Sequence, residues 1–189
     1  AHEEHDERAF LWSQPVPRAV YVLGKTTTLV AALALVLLVA LVAAAVGGAS
    51  VGTLALLWGL GVALVLVSVS AGVSVGQYTT NRARGLMMVL VLWFGTFALY
   101  DALALALSGL AVMQSVPLFW VGLLLLNPVD AVRLTGLFGL EDVPFAAPGE
   151  AAWMAELTAW LPAWVAVLTV GWTALLLWLA CRRLRRLDL

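Results

Sequence analysis

Residues 26–46, TTTLVAALALVLLVALVAAAV, contain no charged side chain. About 20 apolar residues in helical form cross a bilayer core of about 30 Å, so this stretch predicts a membrane-spanning helix. The whole chain agrees, because 63% of its 189 residues are hydrophobic and 11% are charged. A soluble domain has about 45–50% apolar and about 25% charged residues. The composition therefore predicts an all-α membrane protein, a polytopic helical bundle.

Three further stretches are long and apolar enough to cross a membrane, at residues 53–75, 85–111 and 161–180. A single charged residue, Asp101, interrupts them. We therefore predict four spans within a transmembrane domain of residues 26–189.

A fifth apolar stretch, residues 118–126, is too short to cross. The pair Asn127-Pro128 follows at once and interrupts the helix. The string FWVGLLLLNPVDAVRL, residues 119–134, predicts a short re-entrant or interfacial hairpin. Such backbone is tolerated at membrane depth only where protein or a water-filled cavity covers it.

The basic residues predict the orientation of the spans. Nine of the ten fall on one side when the chain alternates across the bilayer, and Arg133 is the tenth. The nine are Arg8, Arg18, Lys25, Arg82, Arg84, Arg182, Arg183, Arg185 and Arg186. We predict that residues 1–25, 76–84 and 181–189, with the C-terminus, are cytoplasmic. Residues 112–160 are then non-cytoplasmic, and the nearby Trp153, Trp160 and Trp164 fit an interfacial aromatic belt.

Residues 1–25 form a predicted cytoplasmic coupling segment. Its apolar cluster precedes a Pro-Val-Pro turn that forces extended backbone, and a helical pattern starts at Arg18. Two interpretations remain open: an interfacial helix resting among lipid head groups, or an element that docks into a groove on a soluble partner. The candidate docking residues are Phe10, Trp12, Pro15, Pro17, Arg18 and Lys25.

Asp101 is a carboxylate within a membrane span, where charge is costly and is usually paired or functional. It lies about 24 Å along the helix from Gly85, toward the outer leaflet. We expect it to reach the outer interface or to pair with Arg133 of the hairpin. A direct role in transport is the alternative.

The hairpin carries four candidate residues that act together: Asn127, Pro128, Asp130 and Arg133. Asn127 can cap the free N–H groups of a following helix, and proline suits the first helical position. Asp130 and Arg133 are three residues apart and can pair on one helix face. The alternatives are a capped, self-paired outer helix, an outer gate, or a docking surface for a periplasmic partner.

The sequence contains no catalytic constellation and no GxxxxGK[ST] phosphate-binding loop. His2 and His5 lie in an acidic run that fits a solvated charged stretch better than a specific metal site. We therefore predict no metal, no cofactor and no nucleic-acid partner for this chain. If ATP drives the protein, a separate subunit must bind it. The chain starts at Ala1 rather than methionine, so we expect that residues preceding it are missing.

The string SQPVPRAVYVLGK, residues 13–25, resembles the cytoplasmic signature of type-2 ABC exporter permeases. Within that superfamily, LLLLNPVDAVRL (residues 123–134), Tyr100-Asp101 and Asn81-Arg82-Ala83-Arg84 are similar to the NosY-type permease of the nitrous oxide reductase maturation transporter. The resemblance covers nearly the whole chain. One departure is the stretch HEEHDERAF, residues 2–10, which lacks an expected glycine pair.

The resemblance implies six membrane helices with both termini inside, of which this chain would contain four. It also implies a homodimer in a bacterial or archaeal inner membrane, with ATP and Mg²⁺ bound by cytoplasmic ATPase subunits. The complex would support assembly of the copper–sulfur centre of nitrous oxide reductase together with a periplasmic protein. Two alternatives remain: a type-2 exporter permease for a drug, lipid or ion, and a non-transporting membrane scaffold.

Overall fold

The computed structural model describes residues 18–79, 81–110, 117–140 and 151–185. Every regular element in these ranges is helical. In chain order they are α1 (Arg18–Val46), α2 (Val51–Tyr78), α3 (Arg82–Phe94), a π-helical turn (Gly95–Leu99), α4 (Tyr100–Ser108), α5 (Pro117–Leu126), α6 (Pro128–Leu140) and α7 (Ala151–Arg185).

Within these ranges, four helices are long and apolar enough to cross a membrane, which agrees with the predicted helical fold and its four predicted spans. They are Ala19–Val46, Val51–Tyr78, Arg82–Leu107 and Glu156–Leu184, called here the first to fourth spans. The third span consists of α3, the π turn and most of α4. The fourth lies within α7, which begins at Ala151, well before the predicted start at residue 161.

Local side-chain chemistry sets the helix starts. A turn with Gly48 at φ +91° joins α1 to α2, a conformation that residues with a side chain rarely adopt. Ser50 then caps α2, because its Oγ accepts a hydrogen bond from the backbone N–H of Thr53 at 3.1 Å. Asn81 caps α3 through its Oδ1, which accepts from the N–H of Ala83 at 2.9 Å.

Two apolar clusters hold the bundle together. The larger one joins α2, α5, α6 and α7 and consists of Leu60, Ala63, Leu125, Ala131, Val132, Leu161 and Val165. The smaller one joins α1, α2 and α7 through Val22, Val73, Ala180 and Leu184. By contrast, α3 has no buried residue. Its outward apolar surface suits contact with lipid.

The smaller cluster brings the start of α1 and the ends of α2 and α7 to one end of the bundle, called here the basic end. Five basic residues lie in the helices at this end: Lys25, Arg82, Arg84, Arg182 and Arg183. These described residues therefore share one end, as the basic pattern predicts.

Cysteine labelling tests which side the basic end faces. In a Cys181→Ser background, we expect Ser50→Cys to react with a membrane-impermeant maleimide in intact cells. Asn81→Cys should react only after permeabilisation, because positive residues are retained on the cytoplasmic side. The opposite labelling pattern would mean that the orientation is inverted.

Candidate functional site

The helix break between α5 and α6 is the candidate site. α5 ends at Leu126, Asn127 stands between the helices, and α6 begins at Pro128. Proline has no backbone N–H and cannot continue the preceding helix. The last carbonyl groups of α5 therefore have no partners within the helix and need others.

Two tryptophans of α7 supply partners for the last two carbonyls. The indole Nε1 of Trp164 donates to the carbonyl oxygen of Leu125 at 2.9 Å. The indole Nε1 of Trp172 donates to that of Leu126 at 3.4 Å. Both carbonyls of the break are thus hydrogen-bonded to the fourth span.

The two preceding carbonyls also have partners. The phenol of Tyr100, in the third span, donates to the carbonyl of Leu123. The backbone N–H of Asn127 donates to the carbonyl of Leu124 at 3.3 Å. All four carbonyls at the end of α5 are therefore satisfied by protein groups, without need of water.

The Asn127 side chain is bound to the π turn of the third span. In this turn, the N–H of Tyr100 donates to the carbonyl of Gly95 rather than to that of Thr96, its partner in an α-helix. The Thr96 carbonyl instead accepts a hydrogen bond from Asn127 Nδ2 at 2.7 Å. The π turn thus frees a backbone carbonyl, and the side chain at the helix break supplies its donor.

Asn127 also organises the start of α6. Its Oδ1 accepts from the N–H of Val129 at 3.1 Å, which confirms the predicted cap. Its Nδ2 donates to Asp130 Oδ2 at 2.8 Å. Both residues are buried, with 4% and 5% of their surface exposed. Such a satisfied polar network fixes one arrangement of the break.

Arg133 joins carboxylates from two elements. Its Nη1 lies 2.8 Å from Asp101 Oδ2 on α4 and 3.4 Å from Asp130 Oδ1 on α6. Both ion pairs that the sequence predicts are therefore present. The side chains differ in exposure: Asp130 is 6% exposed, whereas Arg133 and Asp101 are 53% and 41% exposed. Asp130 therefore lies inside the protein, while Arg133 and Asp101 are partly exposed at its surface.

The break lies beside the middle of the third and fourth spans. At 1.5 Å per residue, Thr96 is about 21 Å from Arg82 and about 16 Å from Leu107. Trp172 is about 24 Å from Glu156 and about 18 Å from Leu184. Thr96 and Trp172 are thus far from both ends of their spans, whereas Tyr100 and Trp164 lie about 10 Å from Leu107 and about 12 Å from Glu156.

From the break, α6 runs toward the start of α2. A Cβ added at Gly136 would lie 3.5 Å from Leu60, and one added at Gly139 would lie 2.5 Å from Leu56. Leu56 is about 8 Å along α2 from its first residue. The end of α6 therefore approaches the end of the bundle opposite the basic end.

The coupling residues are described only in part. Lys25 is exposed in α1, and Arg18 is the first residue of that helix. The side chain of Arg18, and all of Phe10, Trp12, Pro15 and Pro17, lie outside the described residues. Their role in coupling stays a prediction, as does a gating role for the Asn127 cluster.

Sequence reasoning assigned no contact in this site to four residues: Tyr100, Thr96, Trp164 and Trp172. Trp164 fits an aromatic belt by position, yet its indole is bound to the break. The only signal for these contacts is the number of carbonyls that Pro128 leaves unpaired. The His2–Glu7 stretch lies outside the described residues, and within those residues no group of metal-ligand side chains is gathered.

Comparisons of the chain with protein-family models, with curated proteins and with solved structures find no match. A proposed function therefore depends on the residues and contacts of the chain itself.

Replacing Trp164 tests the carbonyl pairing. Trp164→Phe keeps an aromatic ring but removes the donor to Leu125, and an unpaired buried carbonyl costs about 1–3 kcal/mol. We expect a lower midpoint of thermal unfolding in mild detergent. Trp160→Phe is the matched control, because Trp160 lies in the same helix and is 67% exposed. Equal midpoints for the two variants would contradict the role given to the indole.

Proposed function

We propose that this chain is the membrane-spanning permease subunit of an ATP-driven ABC transporter. Two copies would work with two cytoplasmic ATPase subunits that bind ATP and Mg²⁺. The observation that carries the proposal is the broken helix pair α5–α6, bound to the third and fourth spans by its own freed carbonyls. The resemblance of residues 13–25 to the type-2 exporter signature supports the same conclusion.

The proposal includes a re-entrant hairpin formed by α5 and α6, which enters and leaves from the non-cytoplasmic side. Non-helical backbone survives at membrane depth only where protein satisfies its polar groups. The complete pairing of the α5 carbonyls supports this position. So does the location of Thr96 and Trp172 near the middle of their spans.

The Arg133 cluster is the proposed outer gate. Arg133 connects the hairpin to Asp101 of the third span, so a movement between these elements breaks one ion pair and leaves the other. A contact of this kind has two discrete arrangements, as rocking between inward-facing and outward-facing states requires. Its half-exposed side chains are also available to a periplasmic partner.

Coupling to the ATPase is proposed for residues 1–25. α1 is continuous from Arg18 to Val46, about 43 Å, so a force applied at its start moves the whole first span. Val22, close to that start, is fully buried against α2 and α7. Closure of the ATPase subunits would then be transmitted to three spans at once.

The narrower proposal is that the transporter supports assembly of the copper–sulfur centre of nitrous oxide reductase. The strings around Asn127 and Asp101 support it through their similarity to NosY-type permeases. Two contacts between α6 or its cap and the third span support treating these strings as one region: the Asn127–Thr96 hydrogen bond and the Arg133–Asp101 ion pair. A periplasmic maturation protein is the expected partner on the outer face.

Co-purification tests the transporter assignment. Tagged chain, extracted in mild detergent, should capture the ABC ATPase encoded beside it. Arg18→Ala or Phe10→Ala should weaken this capture, because both residues belong to the proposed docking segment. Arg84→Ala is the matched control, since Arg84 is an exposed basic residue at the same end of the bundle. Failure of the unaltered chain to capture any ATPase would leave the scaffold alternative.

Gene deletion tests the narrower assignment. Cells that lack the gene should produce nitrous oxide reductase without its catalytic copper centre, as measured by metal content and visible absorption of the purified enzyme. Re-expression of the chain should restore the centre. A fully loaded enzyme from the deletion strain would exclude the maturation role but not a transporter for other cargo.

A further inference from the structure

A small cavity opens at the basic end, between the end of α2 and the end of α7. Tyr78, Leu179, Arg182 and Arg183 line it, and its volume is about 210 Å³. This volume is far above the approximately 10–15 Å³ needed to hold one water. The cavity therefore admits a group of the size of phosphate.

Aromatic rings hold both arginines in position. The guanidinium carbon of Arg183 lies 5.6 Å from the centre of the Tyr78 ring. That of Arg182 lies 5.0 Å from the centre of the Trp178 ring. Contact with a ring face restrains a guanidinium while its N–H groups, which lie in its plane, remain available to donate.

One arginine donor lacks a partner. The Nε of Arg183 is buried and makes no hydrogen bond within the described part of the chain. In that same part, every described ion pair involves Arg133 and none involves Arg182 or Arg183. Buried donors are nearly always satisfied, so an acceptor from outside the chain would remove the cost of leaving this one unpaired. For a guanidinium, the best acceptor is a planar or tetrahedral oxyanion.

We propose that this cavity binds the phosphodiester group of an anionic phospholipid in the adjacent leaflet. Two guanidinium groups face one space, and the helical surface beside it is apolar: Trp178 is 54% exposed on α7. A lipid uses both features, because its phosphate accepts from the arginines while its acyl chains lie along the helices. Basic pockets between spans on the cytoplasmic side bind such head groups.

The geometry distinguishes this site from a general attraction of basic residues to a negative membrane. Arg82 has the same charge at the same end, but it is exposed and lines no described cavity. Lipid binding through diffuse electrostatic attraction would depend equally on Arg82 and Arg183. Lipid binding in a defined cavity would depend far more on Arg183 than on Arg82, because the guanidinium of Arg183 presents two parallel N–H donors there.

Native mass spectrometry of the full chain in mild detergent measures the ratio of bound phosphatidylglycerol to phosphatidylcholine. For Arg183→Gln we expect this ratio to fall about fivefold, the equivalent of about 1 kcal/mol for one basic contact. Arg82→Gln is the control and should leave the ratio close to that of the unaltered chain. An equal fall in both variants would overturn the proposal in favour of diffuse attraction.

Two further measurements keep the result decisive. Arg183→Lys preserves the charge and a long side chain should Arg183→Gln fail to fold, and its ratio should also fall because an ammonium cannot donate as a fork. A ratio equal to that of the unaltered chain would overturn the proposal. Excess inorganic phosphate should leave phosphatidylglycerol bound, since phosphate has no acyl chains. Complete displacement by phosphate would mean that the cavity is a site for free anions and not for lipid.

Discussion

The carbonyl groups left unpaired by Pro128 are the constraint on which the centre of this molecule depends. A break in a helix exposes strongly polar backbone, which needs hydrogen-bond partners wherever water is excluded. The third and fourth spans meet this demand with a phenol and two indoles, at Leu123, Leu125 and Leu126. Packing of α5 against both spans follows from the same three hydrogen bonds. The apolar cluster around Ala131 then fills the space between them.

Much of the architecture could be predicted from the sequence, because a polar residue within an apolar span is costly unless it has a partner. The four spans follow from hydropathy alone. The pairing of Asp101 with Arg133 follows from the cost of an isolated charge, and the Asn127 cap follows from local chain chemistry. Each of these predictions depends on a property of one or two residues.

The remaining contacts depend on three-dimensional proximity, which no local pattern contains. Trp164 and Trp172 are 39 and 46 positions from the carbonyls they bind. Hydropathy also does not distinguish a π turn from an α-helical one, since the residues 95–99 are compatible with both. The cavity at the basic end also depends on proximity in three dimensions, because Tyr78 and Arg183 meet only when α2 and α7 pack together.

The π turn at Gly95–Leu99 also determines the phase of the third span. One residue more than an α-helix needs is accommodated there, so shortening the turn by one residue would rotate α4 by about 100° and shift it by about 1.5 Å relative to α3. Asp101 would then leave the side of the helix that faces Arg133. The length and hydropathy of the span would hardly change. A membrane helix can therefore keep its length and hydropathy and still turn its polar residues to the wrong side. The Asp101–Arg133 ion pair should tolerate substitutions on the lipid-facing side of the third span better than an insertion or deletion of one residue.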